Sequence, residues 1–248
     1  MSFHDHFSAQ AVSYAKYRPN YPARLFEYLA TLCPEHKSAW DCATGNGQSA
    51  IGLNKYFQHV LATDASEKQI YSAEKQQGII YAIATAEETD IPAGSVDLIT
   101  VAQAAHWFDL LEFYLEADRV LKKGGILAIW AYPLLKVNPQ INPVINYLYD
   151  DLVGEHWPPE RSMIDEGYAD IRIPFHHVEN IPSFTITKHW DFEELLGYFS
   201  TWSATKRYKE ALGYCPIEKV SDQLKKAWGS VTSKREVTWE IILKIGRK

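Results

Sequence analysis

Asp41, Gly45, Gly47, His106 and Arg18 are the chain's candidate reactive and ligand-binding groups. The run Ser38-Ala39-Trp40-Asp41-Cys42-Ala43-Thr44-Gly45-Asn46-Gly47-Gln48-Ser49-Ala50 reads as a short strand, a glycine-bearing turn and a helix start. Two glycines allow the backbone to turn sharply and to approach a ligand closely. The carboxylate of Asp41 stands at the strand end beside that turn, and a nucleotide-like ligand is the expected occupant. His106 has two readings: a general base with a pKa near neutrality, or a packed, hydrogen-bonded imidazole. Arg18 is either a bidentate clamp for a carboxylate or the partner of a surface acid.

The elements that must position these groups follow from periodicity and punctuation. Strands are expected at 38–43, 59–63, 79–83, 96–102 and 126–130, alternating with helices. Asp64 ends the second strand, and a polar helix is expected from Ser66 to Gln77, closed by Gly78. Asp109 and Glu112 have capping-box spacing for a helix through Leu121, and Asp191 and Glu194 for one from Phe192 to Phe199. Near the N-terminus, Tyr14, Tyr17, Arg18 and Tyr21 share one helical face that Pro19 and Pro22 interrupt; Ala23 to Leu32 then resumes as a helix. Prolines 133, 139, 143, 158 and 159 break up a stretch that runs to about residue 181. The segments 183–190 and 237–245 alternate with period two and are expected to form an antiparallel edge hairpin. The implied fold is a doubly wound α/β domain. Its mostly parallel, seven-stranded sheet ends in an antiparallel C-terminal edge strand. One domain is expected over 1–248, with a helical cap at 1–30 and an inserted lid at 133–181 over an acceptor pocket.

Composition removes several classes of function. Apolar residues make up 46% of the 248, which argues against disorder, and the net charge of −6 carries no basic run suited to nucleic acid. Cys33, Cys42 and Cys215 are scattered, so neither a disulfide framework nor a metal site is expected. The N-terminus lacks the features of a signal peptide and no apolar run reaches membrane-spanning length, so a cytoplasmic protein without membrane attachment is expected. Aromatic residues reach 13% and concentrate at 14–28 and 147–208, where they pack or wall a pocket that excludes water.

Four motifs in order resemble the class I S-adenosylmethionine-dependent methyltransferases, over about residues 10–132 and more loosely beyond. They are Asp41-Cys42-Ala43-Thr44-Gly45-Asn46-Gly47; Asp64 at the second strand's end; Ala84-Thr85-Ala86-Glu87 with Ile91-Pro92 and Ser95-Val96-Asp97-Leu98; and Leu121-Lys122-Lys123-Gly124-Gly125. The resemblance implies S-adenosyl-L-methionine as cofactor, held by Asp41, Ala43, Gly45, Gly47, Asp64, Ala86, Glu87 and Gln103. Asp64 would accept the ribose hydroxyls in charge-assisted hydrogen bonds, and Asp41 would orient the loop or meet the donor's ammonium group. Ala43 replaces the loop's first glycine, which requires a negative φ there. Thr85 replaces an aspartate often found near the adenine amine, leaving the backbone amide of Ala86 to serve.

The segments Gln103-Ala104-Ala105-His106-Trp107-Phe108-Asp109, Tyr14–Pro22 and Leu196–Ala204 resemble the small-molecule group that contains the trans-aconitate methyltransferases. That likeness implies methyl transfer to a small acceptor, with O-methylation of a carboxylic acid as the leading reading. Tyr14, Arg18, Tyr21, Trp107, Trp130 and Trp202 are the expected acceptor contacts, joined by Tyr132 and Arg207, and His106 is the candidate catalytic residue. A monomer or homodimer is expected. Three alternatives stand: C- or O-methylation of a quinone or other aromatic ring, an NAD(P)-dependent oxidoreductase, and a non-catalytic donor-binding protein.

Overall fold

The computed structural model describes residues 17–248. Its parallel strands are β1 (Ser38–Cys42), β2 (His59–Asp64), β3 (Ile79–Ile83), β4 (Val96–Ala102) and β5 (Leu121–Ala131). They lie in the order β3-β2-β1-β4-β5, so the chain reverses direction across the sheet between β1 and β4. The antiparallel part comprises β6 (His176–His177), β7 (Phe184–Trp190) and β8 (Arg235–Arg247). One long strand serves two neighbours: β8 pairs with β7 from Arg235 to Ile241 and with β5 from Ile242 to Arg247. The expected hairpin is present. Its C-terminal strand β8 lies inside the sheet between β5 and β6, and β7 pairs with the other half of β8, which makes eight strands in all.

Period-two alternation decides which face each strand residue buries. Ile99, Val101, Leu127 and Ile129 join Trp40 and Cys42 on one face, beneath helix α4 (Leu110–Val120). Leu98, Ile126, Ala128 and Trp130 join Ala39, Val60 and Ala62 on the other, beneath α1 (Ala23–Thr31) and α2 (Gln48–Leu53). Burial on both faces leaves β4 buried from Val96 to Val101, with Asp97 and Thr100 enclosed among its apolar residues. A third apolar cluster gathers Tyr132 to Val153 with β7, Trp239 and the late helices. Those helices are α7 (Phe192–Ser200), α8 (Ser203–Leu212) and α9 (Pro216–Trp228). The 133–181 stretch itself contains α5 (Asn142–Asn146), a π-helical turn (Tyr147–Leu152), a 3₁₀ turn (Gly154–His156) and α6 (Arg161–Asp165). No helix among the described residues is long and apolar enough to cross a membrane.

Two expectations about local structure need correction. The helix after Ser66, α3, covers only Glu67–Ser72. Beyond Ile70 and Ala73 the sequence offers no further apolar side chain to bury, and Tyr71 points to solvent. The following residues turn away at Ala73, and their carbonyls are taken elsewhere: Glu74 O accepts from the Tyr81 hydroxyl and Gln77 O from Asn54 Nδ2. At Asp109 the carboxylate caps α4 through the amides of Leu111 and Glu112. Its own N–H donates to Glu87 Oε1 at 3.1 Å, occupying the donor that Glu112 would have reached. At Asp191 and Glu194 the reciprocal box is complete.

Candidate functional site

Asp41, the loop after it and Asp64 meet where β1 and β2 end. Asp41 is fully buried. Thr44 Oγ1 donates to its Oδ2 at 2.5 Å and Thr100 Oγ1 to its Oδ1 at 2.8 Å. Burial pushes this carboxyl up to about 6, against the pull of the two hydroxyls. Thr44 in the loop and Thr100 on β4 hold the carboxylate in place. The loop alternates through left-handed backbone at Ala43 (φ 54°), Gly45 (φ 58°) and Gly47 (φ 90°). The expectation of negative φ at Ala43 is therefore wrong. Alanine there holds a conformation suited to glycine, at a cost of about 1–2 kcal/mol.

Asp64 fastens this loop from the neighbouring strand. Its Oδ2 accepts from Gly45 N at 2.9 Å and its Oδ1 from Ser66 N at 2.8 Å. An ionised carboxylate offers about four acceptor positions, so amide bonds and ribose hydroxyls are compatible. A Cβ placed on Gly45 would meet nothing within 4 Å, which leaves the outer face of the turn open to a ligand. Gly47 faces the opposite situation: a Cβ there collides with the Tyr81 hydroxyl. Open cradle, left-handed turn and flanking acid together fit an adenosyl ligand. Ala86 is buried after β3, and Glu87 accepts from the Asp109 amide.

Gln103 follows β4 with a φ of 57°, a strained position for a residue with a side chain. Its Oε1 accepts from Tyr132 N at 2.9 Å and its Nε2 donates to Tyr132 O at 3.2 Å. The side-chain amide thus clamps the end of β4 to the end of β5. The 3₁₀ turn Ala105–Trp107 comes next. His106 Nδ1 lies 2.9 Å from the Tyr168 hydroxyl, and the ring packs 4.8 Å from Trp107. Burial, with the Arg161 charge nearby, lowers its pKa to about 3, so the imidazole is neutral at physiological pH.

Arg18 sits under α7 and β5. Nη1 donates to the Tyr132 hydroxyl and Nη2 to Thr201 O, each at 3.4 Å, and the guanidinium carbon lies 5.4 Å from the Tyr198 ring centre. Tyr21 packs edge-on against Trp130 at 5.4 Å and lies 6.2 Å from Tyr132. Trp130 is fully enclosed and supports Tyr21 from behind. Trp202, also buried, meets Tyr149, Trp157 and Tyr198. Arg207 lies half-buried on α8. Tyr14 lies outside the described residues. Tyr149, Arg161 and Tyr168, all in the proline-broken stretch, were missed from sequence. The only signal was a lone arginine after Pro158-Pro159 amid aromatic residues.

The profile described as a methyltransferase domain matches residues 40–129. A Dictyostelium discoideum protein described as a candidate methyltransferase is 35% identical over 91% of this chain and 87% of its own length. A Saccharomyces cerevisiae protein described as a candidate S-adenosylmethionine-dependent methyltransferase is 28% identical over 72% of this chain and 70% of its own. A solved structure from Anaeromyxobacter dehalogenans, described as a candidate type II methyltransferase, superposes with a TM-score of 0.87 at 38% identity. It covers 93% of this chain and 97% of that one. Sheet order, donor loop and these likenesses agree, and they place the chain outside the dinucleotide oxidoreductases. It belongs to the class I S-adenosylmethionine-dependent methyltransferases.

Proposed function

We propose that this methyltransferase acts on a small acidic molecule and transfers the methyl group to a carboxylate oxygen. Arg18 carries the reading. A guanidinium held among Tyr132, Tyr198 and Thr201, beyond the ends of β4 and β5, suits a planar anion. S-adenosylmethionine supplies a methyl group already activated by its sulfonium. The chain's own residues then have three tasks.

Asp64, Gly45 and the Ala86 backbone hold the donor, with Asp41 and Gln103 fixing the loop and strand ends. Arg18 and the tyrosines orient the acceptor oxygen, and the aromatic walls exclude water. A carboxylate has already lost its proton at neutral pH, so no base is needed. A neutral His106 joined to Tyr168 is compatible with a positioning role. In this reading residues 133–181 form the lid and residues 17–30 contribute to the cap; the rest of the expected cap lies outside the described residues.

A mass-spectrometric screen of small acids, phenols and quinone precursors with S-adenosylmethionine tests this. The expected product is an acid that gains one methyl group as an ester and loses it on mild alkaline hydrolysis. Methylation confined to phenols or ring carbons would overturn the reading.

A further inference from the structure

Arg161 is held for binding yet spends only part of its hydrogen-bonding capacity on the protein. Its Nε donates to the Tyr149 hydroxyl at 2.7 Å and lies 3.4 Å from Asp165 Oδ1. The Tyr149 hydroxyl also spans both Asp165 oxygens, at 2.8 and 2.9 Å. The guanidinium carbon lies 5.0 Å from the Trp157 ring centre and 5.4 Å from that of Tyr149. The side chain is only 15% exposed. Nη1 and Nη2, the end that could bind a carboxylate bidentately, make no hydrogen bond among the described residues. Tyr149 itself lies in a π-helical turn, a local irregularity often found at functional sites.

The position matches the chemistry. The two rings that Arg161 lies against, Tyr149 and Trp157, both pack on Trp202, whose ring centre lies 5.9 Å from that of Tyr198. Tyr198 also lies under Arg18. Two cations therefore converge on one aromatic wall beside the β4 and β5 ends. A group needed only to staple the lid would be served by the Nε contact with Tyr149 and Asp165.

We infer that Arg161 is a specificity-determining residue whose Nη pair binds an anionic group of the acceptor from the lid side. The inference rests on the acidic-acceptor reading above. Tyr149 and Asp165 hold the Nε edge of the guanidinium and leave the Nη pair to the acceptor. Arginine is suited to this task because its planar fork binds a carboxylate through two parallel hydrogen bonds.

Calorimetric titration of the protein loaded with S-adenosylhomocysteine tests the assignment, using glutarate and benzoate as probes against glutaramide and benzamide. The wild type should prefer an acid to its amide. Arg161→Gln should reduce that preference at least tenfold while S-adenosylhomocysteine affinity stays within threefold. Arg161→Lys should recover part of it. Asp165→Asn removes the charge from the staple but keeps the fork, and it should retain the preference. Equal acid preference in the wild type and Arg161→Gln overturns the assignment, as does an equal loss in Arg161→Gln and Asp165→Asn, which marks a staple. A wild type that binds neither acid overturns the acidic-acceptor reading and this assignment with it.

Discussion

Replacing His106 with glutamine separates positioning from proton transfer. The imidazole is neutral, with a pKa lowered to about 3. A base with the ordinary histidine value near 6.5 would leave roughly 3% of the enzyme active at pH 5. His106 instead stays neutral from pH 5 to 8, so wild-type kcat/KM on an acid acceptor should show no His106 inflection in that range. Removing a true general base costs about 10²- to 10⁴-fold. His106→Gln should instead lower kcat by less than about threefold. It should also cost about 1 kcal/mol of stability, since a hydrogen bond to Tyr168 is replaced imperfectly. The assay is initial-rate methyl transfer against pH, paired with thermal unfolding of both proteins. A loss of two or more orders of magnitude in a folded His106→Gln variant would refute the argument. So would a wild-type inflection near 6.5 that the substitution abolishes.

Other outcomes follow from the same geometry. Ala43→Gly should raise stability by about 1 kcal/mol, or roughly 2–4 °C in Tm, because it relieves left-handed backbone strain that exceeds glycine's entropic cost. Asp64→Asn should weaken S-adenosylhomocysteine binding about 10- to 100-fold by calorimetry, since an amide keeps one acceptor oxygen and loses the charge. The depressed His106 pKa also sets a stability window. The unfolded chain takes up a proton below about 6.5 that the folded one refuses, so His106's contribution is present above that pH and falls as pH drops toward 3. His106→Gln should therefore flatten the acid decline in Tm between pH 7 and 4; an unchanged slope would contradict the buried, neutral assignment.

Much of the donor half was legible because its signals are local. Short strand-like runs bounded by turn residues placed β1 to β5, and Gly45 and Gly47 marked the turn. Asp64 falls at the β2 end, close enough in space to fasten that turn. Where a local rule met a competing contact, the reading failed. Glu87 took the donor expected for Glu112, α3 stopped where its apolar residues did, and Ala43 accepted a left-handed φ that its side chain disfavours.

The proposed acceptor side is a different kind of problem. His106 and Tyr168 stand 62 residues apart, Arg18 and Tyr132 114 apart, and each pair meets only once the sheet has ordered its strands. A neutral His106 is likewise a property of burial, because dehydration and a neighbouring charge set its pKa, and neither is visible in the letters around it. The order of local motifs was enough to imply a donor of nucleoside character on a Rossmann-like sheet. Which side chains of residues 133–208 come together with Tyr132 and Trp239 depends on the folded chain, because that cluster is built from long-range aromatic contacts that no short-range period encodes.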